Sequence, residues 1–200
     1  MTDLTGIFGG TFDPPHLGHL ILASEMLEQL HLTRLLWVLT PDPPHKQDVY
    51  ITPMAHRLAM TRLALEEYPQ FELSTIEIDR PGPHYTLDTV RMIGELYPAT
   101  GVVLLLGGDS LQNLPTWNRP ADLVAACRLI GVMHRPGDSV DLRALEQVIP
   151  GLNEKVEFVD APLLEIASRD IRRRAAEGRS FKHYLPTKVY DYIVENKVYT

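Results

Sequence analysis

Two histidines three residues apart, His16 and His19, follow a glycine pair and a proline pair in the stretch Thr5-Gly6-Ile7-Phe8-Gly9-Gly10-Thr11-Phe12-Asp13-Pro14-Pro15-His16-Leu17-Gly18-His19-Leu20. Almost one helical turn separates them, so both imidazoles project from one face, and Gly18 between them leaves room for a ligand. Gly9 and Gly10 lack a Cβ, which predicts a backbone open to unusual conformations and amide N–H groups that a ligand can approach. A helix starting at this point offers free N–H groups and a positive dipole end to an anion. Together these are the means of gripping a polyphosphate. A capped helix carrying two surface histidines is the plainer account of the same residues.

The string G-G-T-F-D-P-P-H-L-G-H-L resembles the signature of the nucleotidylyltransferases whose H-x-G-H element binds the triphosphate of ATP. That resemblance implies an ATP site containing Gly9, Gly10, Thr11, Phe12, His16 and His19. Pro41-Asp42-Pro43-Pro44-His45-Lys46 is a proline-stiffened loop that would hold His45 and Lys46 at the carboxyl edge of a sheet. Its P-P-H-K is similar to the nicotinate mononucleotide branch of the family, and a mobile surface lysine would read the same way. Tyr85-Thr86-Leu87-Asp88-Thr89 resembles the segment in which backbone amides at Tyr85 and Thr86 would hold the pyridine carboxylate of nicotinate mononucleotide. A helix capped by Thr86, with Asp88 favourable to its dipole, is compatible with the same residues.

The run from Gly107 to Trp117, G-G-D-S-L-Q-N-L-P-T-W, is similar to the family's G-x-D-S and tryptophan arrangement. It implies Gly107 and Asp109 beside a ribose or the metal-bound phosphates, and Trp117 stacked on the nicotinate ring; a packed core tryptophan is the alternative. Glu165-Ile166-Ala167-Ser168-Arg169-Asp170-Ile171-Arg172 resembles I-S-S-T-x-I-R, whose hydroxyls, N–H groups and arginine bind ATP phosphates. Ala167 and Arg169 depart from that pattern, so Ile166, Ser168, Ile171 and Arg172 alone carry over, with Ser168 expected to cap the helix and Arg169 to add charge.

The elements that must position these residues follow from hydrophobic pattern. Leu20, Ile21, Leu22, Met26 and Leu27 recur at helical spacing after the first apolar run, and Leu35–Leu39 reads as a strand covered on both faces. Thr52-Pro53 predicts a helix start, threonine capping and proline at the first helical position, with the helix running to about Glu67. Its Met54, Leu58, Leu63 and Leu65 are expected on the sheet, with Arg57 and Arg62 solvated. Phe71–Ile78 alternates as a strand with one exposed face, and a helix is expected from about Thr86 to near Tyr97. Gly101–Leu106 is the most apolar strand and the candidate for the sheet centre. A helix at 121–126, a strand at 129–133, a helix at 140–148 and a short strand at 156–159 follow. Strands alternating with helices throughout predict an α/β chain of one domain, residues 1–200. The expected architecture is a doubly wound, Rossmann-like, mostly parallel sheet with helices on both faces and a short helical C-terminal part.

Composition sets the bounds. Two hundred residues suit one α/β domain, and 44% hydrophobic with 22% charged content is ordinary for a soluble globular chain. A net charge of −7 argues against nucleic acid as a partner and requires a phosphate site to come from local positive groups. From Ser168 to Lys188 seven Lys/Arg face two acids, so this segment is +5 and the rest of the chain −12; a solvated helix suffices for Arg173, Arg174 and Arg179. The lone Cys127 can form no intrachain disulfide and is expected to be buried. No basic leader or span of roughly 20 apolar residues appears, so a cytoplasmic location away from membranes is expected.

The resemblance extends over five stretches, and points to the bacterial nicotinate-nucleotide adenylyltransferase family. It implies transfer of an adenylyl group from ATP to nicotinate mononucleotide, with Mg²⁺ bound mainly through ATP phosphates. His16, His19, Lys46 and Arg172 are the implied catalytic set. Nicotinamide mononucleotide or a phosphopantetheine as acceptor, a hydride-transferring dinucleotide enzyme and a non-catalytic nucleotide-binding module remain as alternatives. Gly-Gly-Thr-Phe-Asp-Pro-Pro is not the G-x-G-x-x-G of the hydride-transfer class. Oligomeric state is left open, a homo-oligomer included.

Overall fold

Apolar runs with the period of strands alternate with helical ones along the chain. In the computed structural model, which describes residues 3–41, 50–134, 140–162 and 164–199, they become a six-stranded parallel sheet flanked by helices. In chain order the elements are β1 (Asp3–Gly10), α1 (Leu17–Gln29), β2 (Arg34–Leu39), α2 (Met54–Leu65), β3 (Phe71–Ser74), α3 (Thr86–Leu96) and β4 (Thr100–Gly107). There follow α4 (Gly108–Gln112), α5 (Pro120–Ala126), β5 (Leu129–His134), α6 (Leu142–Val148), β6 (Val156–Asp160), α7 (Ser168–Ala176) and α8 (Thr187–Glu195). The strand order is β3-β2-β1-β4-β5-β6 and every neighbouring pair is parallel. This is the doubly wound, Rossmann-like order, and its direction reverses between β1 and β4, where ligands of open α/β sheets bind at the carboxyl ends of the strands.

Strand period divides the core in two. Ile7 lies in register with Leu36 and Leu104, and all three enter one buried cluster. Phe8 lies in register with Trp37 and Leu105, and these enter a second cluster on the other face. A third cluster joins Met60 and Ala64 of α2 to Ile171 of α7, to Leu185, and to Val189, Ile193 and Val198 of the C-terminal part. Cys127 is buried in the first cluster, and desolvation pushes its thiol up to about 12.

Several expectations change in detail. The predicted strand 71–78 ends at Ser74, and Thr75–Asp79 is instead a turn closed by Thr75 Oγ1 donating to Asp79 Oδ2 at 2.6 Å. Its apolar alternation is real, because Ile76 packs against the first cluster and Ile78 against the second. Thr52 does not cap α2: Pro53 is the N-cap and no side chain caps the helix. Likewise Tyr85, not Thr86, is the N-cap of α3. Arg57, expected in solvent, is 3% exposed. The helix is buried on two sides, since its Met60 and Ala64 face the C-terminal cluster while Met54, Leu58 and Leu65 face the sheet. Arg62 is exposed, as expected.

Candidate active site

The turn after β1 places His16 at the N-cap of α1 and His19 at its third helical position. Each ring caps the other residue's backbone: His19 N–H donates to His16 Nδ1 at 3.3 Å and His16 N–H donates to His19 Nδ1 at 3.2 Å. Two of the helix's free donors are thereby satisfied reciprocally, with imidazoles in the places that serine and glutamate fill in an ordinary capping box. A backbone N–H can only donate, so both Nδ1 atoms carry a lone pair and each neutral ring bears its proton on Nε2. The rings stack with centroids 3.7 Å apart. His16 is 5% exposed, and burial lowers its pKa to about 4. His19 also meets the rings of Phe12 and Phe8 edge-on.

Three readings of this turn are corrected. The Phe12 side chain is 2% exposed and packs on Phe8 and Trp37, so it is a core group that shapes the turn and leaves the backbone alone to face a ligand. Neither Gly9 nor Gly10 has a positive φ. A Cβ on Gly10 would lie 2.7 Å from the Phe12 ring, whereas one on Gly9 would meet nothing within 4 Å. Gly18 leaves space, but His16 Nδ1 at 3.1 Å and Ile166 Cβ at 3.5 Å would be the neighbours of a side chain there.

Ile166 thus brings the third motif against the histidine turn, and two further bonds complete the junction. Ser168 Oγ donates to the Pro14 carbonyl at 2.9 Å, and Arg172 Nη1 donates to the Asp13 carbonyl at 2.6 Å, with Asp13 Oδ2 3.8 Å away. Ser168 is therefore the first residue of α7 and does not cap it; Ala167 occupies the N-cap without a side-chain bond. Arg169 has an 84% exposed side chain and Arg173, paired with Asp170 at 2.9 Å, a 61% exposed one. Arg174 is not simply solvated: it donates to the Ser180 carbonyl and lies over the Tyr184 ring.

At the carboxyl ends of β1 and β4 opens a cleft of about 400 Å³. It is lined by Gly9, Gly10 and Thr11 after β1, by Gly107 and Ser110 after β4, and by Tyr85, Thr86 and Trp117. A Cβ on Gly107, as on Gly9, would meet nothing within 4 Å, so both strand ends present bare backbone toward open space. Trp117 lines this cleft and also packs against the first core cluster. Asp109 is exposed at the start of α4 and is not among the cleft-lining residues; neither are His16, His19, Ile166, Ser168 and Arg172. The site residues therefore form two groups, one around the histidine turn and one in the cleft, joined through Gly9–Thr11. Lys46 and His45 lie outside the described residues.

The cytidylyltransferase-like family model matches residues 7–174. A relative from Thermomicrobium roseum named "Probable nicotinate-nucleotide adenylyltransferase" is 46% identical over 97% of this chain and 90% of its own. One of the same name from Roseiflexus sp. RS-1 is 41% identical over 97% and 96%. The chain belongs to this family, in its nicotinate-nucleotide adenylyltransferase branch. A Plasmodium falciparum nicotinic acid mononucleotide adenylyltransferase, solved in complex with NaAD, has the same fold, with a TM-score of 0.78 at 20% identity over 98% of this chain and 97% of that one.

Four residues around the candidate site had no local signal in the sequence. Arg57 sends Nε to the Thr52 carbonyl, Nη1 to those of Thr11 and Thr40, and Nη2 to that of Pro41, at 2.9 to 3.1 Å. Glu77, 6% exposed, lines the cleft and accepts from Thr89 Oγ1 at 2.7 Å, while its other oxygen is buried without a partner among the described residues. His84 lines the same cleft, and its buried Nδ1 likewise has no partner among the described residues. Tyr199 reaches Asp13. Arg80, just before the Tyr85 motif, ties this region together, its Nη2 donating to the Tyr85 carbonyl and to Thr89 Oγ1.

Proposed function

We propose that this chain performs the reaction its branch is named for through the two joined groups of residues. The adenylyl group of ATP passes to nicotinate mononucleotide, giving nicotinate adenine dinucleotide and pyrophosphate, in the cytoplasm and within NAD biosynthesis. The observation that carries the reading is the cleft at the sheet's switch point, which joins an anion-directed helix start to an amide-and-indole pocket. The free N–H groups of α1, the Nε2–H donors of His16 and His19, Arg172 and Lys46 hold the polyphosphate, with Gly9, Gly10, Thr11, Gly107, Asp109, Ile166 and Ser168 around the nucleotide. Tyr85 and Thr86 amides take the pyridine carboxylate and Trp117 its ring, with Lys46 and Asp109 toward the phosphate and ribose of the mononucleotide.

An oxygen of the mononucleotide phosphate attacks the α-phosphorus. A new P–O bond forms and the α–β bridging P–O bond breaks, the electron pair leaving with pyrophosphate. The attacking phosphate is already anionic, so no side chain need remove a proton. What the protein supplies is alignment and donors placed where charge develops. The donors around the turn are N–H groups, imidazoles and a guanidinium, and both Asp13 oxygens are engaged by Tyr199 and Thr52. That set suits phosphate oxygens and fits Mg²⁺ carried on ATP itself, which when bound neutralises part of the polyphosphate charge.

Incubation with ATP, Mg²⁺ and each of nicotinate mononucleotide, nicotinamide mononucleotide and a phosphopantetheine, with pyrophosphate as readout, tests the assignment. Release is expected to be fastest with the acid nucleotide. A faster reaction with either other acceptor overturns the substrate, and no release with any overturns the activity.

A further inference from the structure

The turn between β1 and α1 is held at five polar atoms by segments distant in sequence. Arg57 of α2 binds the Thr11 carbonyl, Arg172 of α7 the Asp13 carbonyl and Ser168 the Pro14 carbonyl. The Asp13 side chain, 4% exposed, accepts from the Thr52 N–H at 3.1 Å through Oδ2 and from the Tyr199 hydroxyl at 2.7 Å through Oδ1. Most of these contacts come from elements that also carry the site. Tyr199 does not: it lies beyond α8, where Lys197 and Tyr199 both have positive φ, 51° and 75°. Backbone of that kind is costly for side chains other than glycine, so surrounding contacts must impose it.

Those contacts are visible. Val198, 6% exposed, is buried with Ile171, Leu185, Val189 and Ile193, and Tyr199 packs on the same cluster with its hydroxyl 3.8 Å from Met60 Sδ. The segment is thus fastened to α2, α7 and α8 by apolar burial, and one polar group projects from it to the nucleotide turn. Burial and the neighbouring Asp13 carboxylate hold the phenol well above its ordinary pKa, so it stays protonated and donating throughout the working range.

We infer that Tyr199 is a positioning residue for ATP: its hydroxyl fixes the Asp13 carboxylate, and through it the turn that presents His16, His19 and the α1 amides. Asp13 Oδ2 is shared between the Thr52 N–H and the edge of the Arg172 guanidinium, so the rotation of this one carboxylate sets how far Arg172 is drawn toward the turn. With Oδ1 anchored the carboxylate is held and Arg172 keeps its remaining N–H groups for phosphate. With Oδ1 released, a buried carboxylate oxygen lacks its donor and turns toward the guanidinium. The proposal rests on the adenylyl-transfer reading for its substrate and on the coordinates alone for the brace.

The test is Tyr199→Phe, which keeps the ring packed and removes one oxygen. In pyrophosphate-release kinetics the Michaelis constant for ATP should rise about fivefold, as expected for loss of one charge-assisted bond acting indirectly, while that for the acceptor stays within about twofold. Hydrogen exchange should quicken at the amides of 12–19 and remain unchanged in β4 and β5. A loss of thermal stability with both Michaelis constants and the turn's exchange unaltered would make Tyr199 merely structural and overturn the inference. Should the parent itself release no pyrophosphate, the functional reading falls, and exchange at 12–19 in the two proteins still decides the brace: equal rates refute it.

Discussion

The two ends of the site are built on opposite plans. At the histidine turn the polar atoms of Thr11, Asp13 and Pro14 find partners from α2, α7 and the C-terminal segment. Around Tyr85, Glu77 Oε2, Arg80 Nε and His84 Nδ1 are buried without partners among the described residues. A turn braced in this way can be rigid before ligand arrives, which suits a step that depends on donors aimed at developing charge, and Thr52 Oγ1 is the one polar atom of its brace buried without a partner among the described residues. Buried polar groups without partners carry a cost of roughly 1–3 kcal/mol each, which a ligand or water that bonds them removes. Under the proposed function the contrast is a division of labour: the turn is prepared for chemistry, and the residues around Tyr85 keep polar capacity for recognition.

The largest break in that comparison is His19→Ala. In the proposed reaction its Nε2–H donates to the reacting phosphates, and loss of such a donor lowers turnover by about 10²–10³. Circular dichroism should remain that of the parent, because the lost cap is worth only about 1 kcal/mol. Turnover within a few-fold of the parent in a folded variant would remove His19 from the reaction.

His16 separates preparation from chemistry by pH. Its folded pKa of about 4 lies below the unfolded value of 6.5, so between those values the unfolded chain binds the extra proton. Stability is therefore fully present above about pH 6.5 and is lost as pH falls toward 4, by about 2–3 kcal/mol at pH 4.5. Denaturant midpoints at pH 7 and 4.5 should show this loss in the parent and a smaller one in His16→Asn. An equal loss in both would assign it to other groups.

How much of this was legible depended on whether the information was local. The histidine turn, Tyr85-Thr86 and Gly107–Trp117 are contiguous strings, and the structure sets Gly9–Thr11, Gly107, Tyr85, Thr86 and Trp117 around one cleft. Strand and helix order was legible because each apolar run has one period. The failure at 75–78 shows the limit: Ile76 and Ile78 alternate because a turn inserts them into opposite cores, and period alone cannot tell that from a strand. Arg57 was hidden for a different reason. Helix period assigns an arginine between apolar residues to solvent, and nothing local reveals that carbonyls from Thr11, Thr40, Pro41 and Thr52 converge on it. Tyr199 and Asp13 are 186 residues apart, and only the folded chain brings them together.

Two variants sharpen the division by their effect on the two substrates. Arg172→Ala should raise the Michaelis constant for ATP about tenfold or more, through loss of charge-assisted contacts, and leave that for the acceptor nearly unchanged. Thr89→Val removes the donor to Glu77 Oε1 and a contact of Arg80. It should raise the acceptor's Michaelis constant by about three- to fivefold, as expected for one lost hydrogen bond acting indirectly, with ATP unaffected. Steady-state kinetics with each substrate varied reads both, and crossed effects would mean the two ends act as one.

The smallest expected effects test the third motif. Ala167 sits at the N-cap of α7 with extended backbone, φ −125° and ψ 137°, where serine can accept from a free amide of the first turn. Ala167→Ser should add up to about 1 kcal/mol of stability. The ATP Michaelis constant should stay within about twofold, because Ser168 and Arg172 already tie the helix to Pro14 and Asp13. Arg173 lies about 100° further round the helix than Arg172 and is occupied with Asp170 at 2.9 Å. Its exposed pair contributes at most a few tenths of a kcal/mol, so Arg173→Ala should match the parent in both kinetics and stability. If Arg173→Ala instead weakens ATP as much as Arg172→Ala does, the basic segment acts as a diffuse field, and the directed contact assigned to Arg172 is wrong.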